Sequence, residues 1–187
     1  MLLFEPRVAR QVGNDALFLT WRLNGTLPYL AKPNMPGMPG QTFFALDRAL
    51  DTAASGPKWI EDPTVAQSMM TALRFGEQQL DLYNLLAYCL MPNHVHLVLE
   101  PLASLSRINH SIKEITARNA TQILRRVHQP FWHEDSYERR LRDATERDRM
   151  VAYTESDPVT AGLVREPGKW PWSSASQTLT AQSLVAL

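Results

Sequence analysis

The chain has 187 residues, of which 44% are hydrophobic and 20% charged, values typical of a globular protein and not of a disordered or fibrous one. No apolar run approaches membrane-spanning length, and the first residues lack the basic region and the apolar length of a signal peptide. The single cysteine, Cys89, suits a reducing compartment. We therefore expect one cytoplasmic domain over residues 1–187, with no membrane partner.

The formal net charge is zero, whereas proteins that bind nucleic acid usually carry a basic excess. The charge is unevenly distributed, however, because the stretch from Arg107 to Arg126 holds five basic residues against one acidic residue, Glu114. A local basic stripe of this kind can still bind phosphate.

The first half of the chain begins with a predicted strand at residues 16–23, which are rich in apolar and aromatic side chains. Residues 28–63 are rich in proline and glycine and predict a long surface loop, with a short helix around residues 43–54 as an option within it. Asp62 and Pro63 suit the cap and the first position of a helix, and apolar spacing extends this helix to about residue 79.

A β-hairpin follows, with arms at residues 82–91 and 94–99 joined by a Pro-Asn turn. Both arms are nearly continuous in apolar residues, which indicates central strands covered by helices. Side chains alternate between the faces of a strand, so His94 and His96 share one face about 6.5 Å apart, with Val95 on the other.

The second half is predicted to contain two helices and one strand. An apolar stripe at helical spacing runs over residues 105–128, and the basic residues lie mostly off that stripe. Residues 136–142 predict an edge-like strand. Residues 143–157 predict a helix, opened by a capping box and ended by the following proline, and the tail at about 176–187 is predicted to be flexible.

In chain order these elements are a strand, a helix, a hairpin, a helix, a strand and a helix. They predict an α+β fold with a ferredoxin-like layout, in which helices pack on an antiparallel β-sheet.

The histidine pair is a candidate metal site, because two imidazoles on one strand face can chelate a divalent cation. A His-x-His pair on a solvent-facing strand often has no such role, but the apolar surroundings of His94 and His96 call for polar partners. Tyr153 and Asp157 are four residues apart on the last predicted helix, so their side chains are neighbours. If Asp157 reaches the metal, Tyr153 stands beside it.

Four basic residues of the long central helix, and one tryptophan, are candidate DNA contacts: Lys113, Arg118, Arg125 and Arg126 for phosphates, and Trp132 for base stacking. The alternative is that the basic residues are simply solvated and that Trp132 belongs to the core.

Four separated motifs occur in a fixed order between about Leu17 and Ser174: MPNHVHLVL at residues 91–99, FWHEDSY at 131–137, AYTESDPVTAGLV at 152–164 and WPWSS at 170–174. This ordered set resembles the REP-associated tyrosine transposases. These are relatives of the single-strand insertion-sequence transposases in the HUH (His-hydrophobic-His) superfamily.

The resemblance implies that His94 and His96 bind a divalent metal, Mg²⁺ or Mn²⁺, that Tyr153 attacks DNA and that Asp157 completes the metal site. Asp157 stands where the family usually has asparagine, and residues 154–156 stand where it often has a more apolar segment. The implied activity is that of a transposase, a single-strand DNA endonuclease and ligase. It would cut and join single-stranded or hairpin DNA of palindromic repeats through a 5′-phosphotyrosine intermediate, as a monomer or homodimer.

Two other functions are open at this point. A protein of the same fold could bind DNA hairpins without cutting them. Two histidines and one carboxylate also form the facial triad of iron oxygenases, although that chemistry leaves Tyr153 without a role.

Overall fold

A computed structural model of the chain describes residues 16–27, 39–126 and 129–176. The first part of the predicted proline-rich loop, the end of the predicted central helix at His128 and nearly all of the predicted flexible tail lie outside these ranges.

Four antiparallel strands form one sheet in the spatial order β2-β3-β1-β4. The strands are β1 (Leu17–Leu23), β2 (Tyr83–Leu90), β3 (His94–Pro101) and β4 (Trp132–Arg140). The α-helices are α1 (Pro39–Asp51), α2 (Pro63–Gln78), α3 (Leu105–Ile123) and α4 (Ala144–Thr160), and single 3₁₀ turns lie at Trp59–Glu61 and Pro167–Lys169. This arrangement confirms the predicted α+β fold.

Side-chain caps begin three of the helices. Asp62 accepts a hydrogen bond from Thr64 N–H at 2.8 Å at the start of α2, and Ser104 caps α3 in the same manner. Asp143 accepts from Glu146 N–H at 2.8 Å at the start of α4, as the capping box predicted. Each cap satisfies a backbone donor that a helix leaves free at its N-terminus, which fixes where these helices begin.

The two faces of the sheet carry different helices. Leu19 of β1 and Leu97 of β3 belong to the larger core, which packs against α2 and α3. Phe18 of β1 and Val98 of β3 belong to a second core with side chains of α1 and α4. His94 and His96 alternate with the residues of the larger core along β3, so they lie on the face of α1 and α4.

Several boundaries differ from those predicted. The central helix ends at Ile123, and Arg125 adopts a left-handed φ of 52° just beyond it, which the apolar stripe could not indicate. β4 spans residues 132–140 and not 136–142, because its start pairs with β1 beyond a register shift and is anchored by buried Trp132. α4 continues to Thr160 through Pro158, whose missing N–H removes only one hydrogen bond close to the helix end.

The WPWSS motif, residues 170–174, covers the outer edge of β2. Leu90 N–H donates to the Trp172 carbonyl at 2.9 Å, and Trp170 Nε1 donates to the Leu90 carbonyl at 3.0 Å. The Ser174 hydroxyl accepts from Tyr88 N–H at 3.2 Å and donates to Glu155 of α4 at 2.8 Å. The motif therefore closes a free strand edge and ties the sheet to α4.

Among the helices of the described ranges, none is both long enough and apolar enough to cross a membrane.

Gly76 lies where α2 meets α3 and β2. A substitution at this position tests how tightly the junction is packed. A Cβ at this position would lie 2.6 Å from both Ile112 Cδ1 and Tyr83 Oη, and the Tyr83 hydroxyl is held by donating to the Leu73 carbonyl at 2.9 Å. Gly76→Ala should therefore lower the free energy of unfolding by about 1–3 kcal/mol, measured by urea denaturation, although alanine is the better helix former. Gln78→Ala, at an exposed position of the same helix, should change it by less than about 0.5 kcal/mol. Unchanged or increased stability of Gly76→Ala would contradict this packing.

Candidate active site

The two histidines of β3 are completely buried, and their outer hydrogen bonds define which nitrogen faces the centre. The Asn93 amide donates through Nδ2 to the Leu50 carbonyl at 2.9 Å, which turns its Oδ1 toward His94 Nδ1 at 2.7 Å. His94 Nδ1 therefore carries the hydrogen. His96 Nδ1 lies 2.8 Å from Thr20 Oγ1 on β1. Both rings are thus oriented by a second hydrogen bond, as metal-binding histidines commonly are.

The Nε2 atoms of His94 and His96 lie 3.1 Å apart, within hydrogen-bond distance of each other. Asp157 Oδ2 of α4 lies 3.5 Å from the first and 3.4 Å from the second. Asp47 Oδ1 of α1 lies 3.0 Å from His96 Nε2 and 3.8 Å from His94 Nε2, and Asp51 Oδ1 lies 4.0 Å from His94 Nε2. Two imidazoles and three carboxylates, contributed by β3, α1 and α4, therefore converge on one point.

A divalent cation fits this donor set. Asp47 Oδ1, Asp51 Oδ1 and Asp157 Oδ2 are buried and have no hydrogen-bond partner, which is costly for carboxylate oxygens unless a positive charge is nearby. Within 4.8 Å of one another lie the ligand atoms of Asp47, His94 and His96, and likewise those of Asp51, His94 and Asp157. Nitrogen and carboxylate ligands together suit Mn²⁺ well and allow Mg²⁺.

The pKa shifts reflect the same demand for positive charge. Burial opposes the charged form of His96, but the adjacent Asp47 and Asp157 carboxylates outweigh it and raise the pKa of His96 to about 10. Burial would raise the pKa of Asp157, yet its contacts with both histidines hold it below the ordinary value. Burial, and then the charges of Asp157 and Asp47, raise the pKa of Asp51 to about 7. The pKa of His94 is lowered, first by burial.

Tyr153 stands at the edge of this centre, as its spacing from Asp157 predicted. Its hydroxyl donates a hydrogen bond to Asp47 Oδ2, and its ring centroid lies 6.1 Å from that of His96. Burial, and then the negative charge of Asp47, raise the pKa of Tyr153 above its ordinary value. The phenol is therefore protonated in this arrangement. Burial would raise the pKa of its acceptor Asp47, but contacts with His96 and His94 outweigh burial and lower it, so this carboxylate is ionised.

Asp47 and Asp51 are the site residues that sequence reasoning missed. Both lie on α1, in the stretch interpreted mostly as loop. Their spacing of four residues places both carboxylates on one face of a helix, and this was the available signal. This spacing was not interpreted as part of the site, because only an optional short helix was predicted there.

The predicted phosphate contacts lie on or just after α3, which packs on the opposite face of the sheet from the histidines. Arg118 and Arg125 are exposed. Arg126 stacks on Trp59, with its guanidinium carbon 3.8 Å from the ring centroid. Lys113 is half-buried and donates to the His133 carbonyl at 3.3 Å. A DNA-binding role for these four residues stays a prediction, and it concerns DNA away from the buried centre.

Trp132 does not have the accessibility that base stacking requires. Its side chain is 8% exposed, its Nε1 donates to Thr116 Oγ1 at 2.9 Å, and its ring packs edge-on against Trp21 and Phe131. Trp132 therefore belongs to the hydrophobic core, and this burial contradicts the base-stacking role predicted for it.

The described part of the chain thus combines an antiparallel sheet with a buried centre of two histidines and three carboxylates, next to a tyrosine. Proteins with such a combination are the ones to compare it with. Residues 58–155, slightly more than half of the sequence, match the family model described as "Transposase IS200 like". The chain therefore belongs to the IS200-like transposase family. The match includes His94, His96 and Tyr153, but it begins after α1 and ends before Asp157.

Among solved structures, the chain is similar to a REP-associated tyrosine transposase bound to a REP hairpin. The TM-score is 0.53 and the sequence identity 15%, over 96% of this chain and 86% of that chain. A likeness at this identity concerns the fold, and it agrees with the family resemblance seen in the four motifs. No curated protein matches the sequence significantly.

Metal binding to this centre should stabilise the fold, because the folded chain gathers ligands that the unfolded chain separates. Titrating metal-free protein with Mn²⁺ should raise the melting temperature, with a gain of about 2.7 kcal/mol when the free metal reaches 100 times its dissociation constant. His96→Ala should abolish this gain, whereas His133→Ala, which alters a histidine outside the centre, should retain it. Equal stabilisation of both variants by Mn²⁺ would place the metal elsewhere.

Proposed function

We propose that this chain is a metal-dependent enzyme that cuts and rejoins single-stranded or hairpin DNA, with Tyr153 as the nucleophile. The observation that carries the proposal is the hydrogen bond from the Tyr153 hydroxyl to Asp47, a carboxylate that also contacts the histidine pair. A phenol, a proton acceptor and a candidate cation site thus share one buried centre. Membership of the IS200-like transposase family supports the same reaction class.

His94, His96 and Asp157 would hold the cation, and Asp47 and Asp51 offer further oxygen ligands. When bound, a divalent cation such as Mg²⁺ or Mn²⁺ supplies positive charge that neutralises a non-bridging phosphate oxygen and makes the phosphorus easier to attack. The ring orientation set by Asn93 keeps a lone pair of His94 directed at the centre.

Tyr153 would attack the phosphorus of one phosphodiester. A bond forms between its oxygen and phosphorus, the bond from phosphorus to the 3′ oxygen breaks, and the phenolic proton passes to Asp47. The departing 3′ oxygen takes up a proton from water, and the 5′-phosphate remains on the tyrosine. One phosphodiester replaces another of similar energy, so a 3′ hydroxyl can reverse the reaction and rejoin the strand.

Single-stranded or hairpin DNA is the proposed substrate because the centre is recessed. His94 and His96 are fully buried and Asp157 is 2% exposed, so a flexible single strand would reach the half-buried Tyr153 at the edge of the centre more easily than a rigid duplex. The similar transposase of known structure was bound to a REP hairpin, and a palindromic repeat is the substrate we propose here. The exposed basic residues of the α3 face would contact parts of that DNA remote from the cut, in a monomer or a homodimer.

Replacing the nucleophile tests the proposal directly. Wild-type protein incubated with end-labelled hairpins from repeats flanking its own gene should form a covalent protein–DNA band on a denaturing gel, with Mn²⁺ or Mg²⁺ but not with EDTA. Tyr153→Phe should abolish the band and retain hairpin binding, because only the hydroxyl is removed. Tyr137→Phe, which alters a tyrosine on the same sheet face, should still form it. A covalent band from Tyr153→Phe would reject Tyr153 as the nucleophile.

The role of α1 is tested by neutralising its first carboxylate. Asp47→Asn removes a charge that faces both His96 and Tyr153, so we expect at least tenfold weaker Mn²⁺ binding by calorimetry and at least tenfold slower cutting. Asp148→Asn, on the exposed surface of α4, serves as the matched control and should leave both quantities unchanged. Wild-type cutting rates with Asp47→Asn would exclude Asp47 from the reaction.

A further inference from the structure

Phe44 is a large apolar side chain left exposed at the edge of the active site. Its side chain is 46% exposed, whereas the preceding Phe43 is 2% exposed and packs in the core beneath α1. The Phe44 ring lies 5.4 Å from the Tyr153 ring at 70° and 5.4 Å from the Phe43 ring at 64°, both measured between centroids. Both neighbours meet it at steep angles, and much of its surface faces solvent.

The position of Phe44 indicates what covers it. Tyr153 touches Phe44 and is also hydrogen-bonded to Asp47 in the metal-binding cluster. A phosphodiester that reaches the Tyr153 hydroxyl brings its flanking nucleotides with it, and even in double-helical DNA neighbouring nucleotides of one strand are separated by a rise of only about 3.4 Å. A base next to the cut therefore lies within reach of a ring centred 5.4 Å from the Tyr153 ring.

We propose that Phe44 is a stacking platform for one nucleobase of the single-stranded DNA, namely the base directly 3′ of the scissile phosphate. This inference rests on the proposed function. The base on this side is the natural choice because its nucleotide stays attached to Tyr153 after the cut, while the strand on the other side leaves with a free 3′ hydroxyl. Stacking on an aromatic ring needs no particular base, so Phe44 supplies affinity and position without reading sequence.

Two further variants distinguish stacking on the Phe44 ring from a general effect of removing an exposed apolar side chain. Phe75 on α2 is 44% exposed, nearly as much as Phe44, but it belongs to a helix on the opposite face of the sheet. Phe75→Ala is therefore the matched control for Phe44→Ala. Phe44→Trp preserves an aromatic face and serves as the conservative variant.

The experiment uses the full chain in the Tyr153→Phe background, so that binding is measured without cutting. The probe is a hairpin with 2-aminopurine directly 3′ of the cut mapped with the wild-type enzyme. Stacking on Phe44 should quench its fluorescence, and adding Phe44→Ala should remove the quenching and weaken binding about five- to a hundredfold. Adding Phe44→Trp should preserve the quenching, and adding Phe75→Ala should change neither quantity.

The same hairpin affinity and the same quenching in Phe44→Ala as in Phe75→Ala, both in the Tyr153→Phe background, would overturn the stacking role alone. Quenching lost only from a probe placed 5′ of the cut would overturn the assignment to the 3′ base. Failure of the wild-type chain to bind or cut any hairpin would reject the proposed function, and the stacking role with it. Melting temperatures of Phe44→Ala and Phe75→Ala within a few degrees of their parents confirm that losses are not due to unfolding.

Discussion

The constraint on which the site depends is the meeting of two imidazole rings and three carboxylates in a buried space. His94 and His96 present their Nε2 atoms to each other at 3.1 Å, and three buried carboxylate oxygens without hydrogen-bond partners surround them. Three carboxylates are not stable together in an apolar interior unless a positive charge lies among them. A proton on His96 meets part of this demand and a divalent cation meets it better, because it can engage several donors at once.

The sheet makes this arrangement possible through register. Thr20 of β1 lies directly opposite His96 of β3, so its hydroxyl reaches the outer nitrogen of that ring. Asn93 precedes β3 and is itself held by the Leu50 carbonyl of α1, so the orientation of His94 depends on the position of a helix. The same α1 provides Asp47 and Asp51. The orientation of the His94 ring, the positions of these two carboxylates and the contact with Tyr153 therefore all depend on this one helix.

The sequence was sufficient for the parts of the site whose spacing is local. His94 and His96 follow from strand alternation, and Tyr153 beside Asp157 follows from one helical turn, so each pair could be placed before any tertiary contact was known. Asp47 and Asp51 could not be placed, because nothing in a proline-rich stretch states which distant strand its helix will cover. Trp132 shows the converse limit, since its burial depends on Thr116 of α3 and on the pairing of β4 with β1.

α1 lies outside the matched region of the family model, which begins at residue 58, yet it carries three of the side chains on which the proposed chemistry relies. Asp47 and Asp51 face the histidines from one turn of this helix, and Phe44 lies three residues before Asp47, next to Tyr153. The family match includes His94, His96 and Tyr153 but none of these three side chains. The proposed reaction class therefore rests on residues of β3 and α4, whereas α1 adds two further candidate metal ligands, the proposed proton acceptor and the proposed stacking platform.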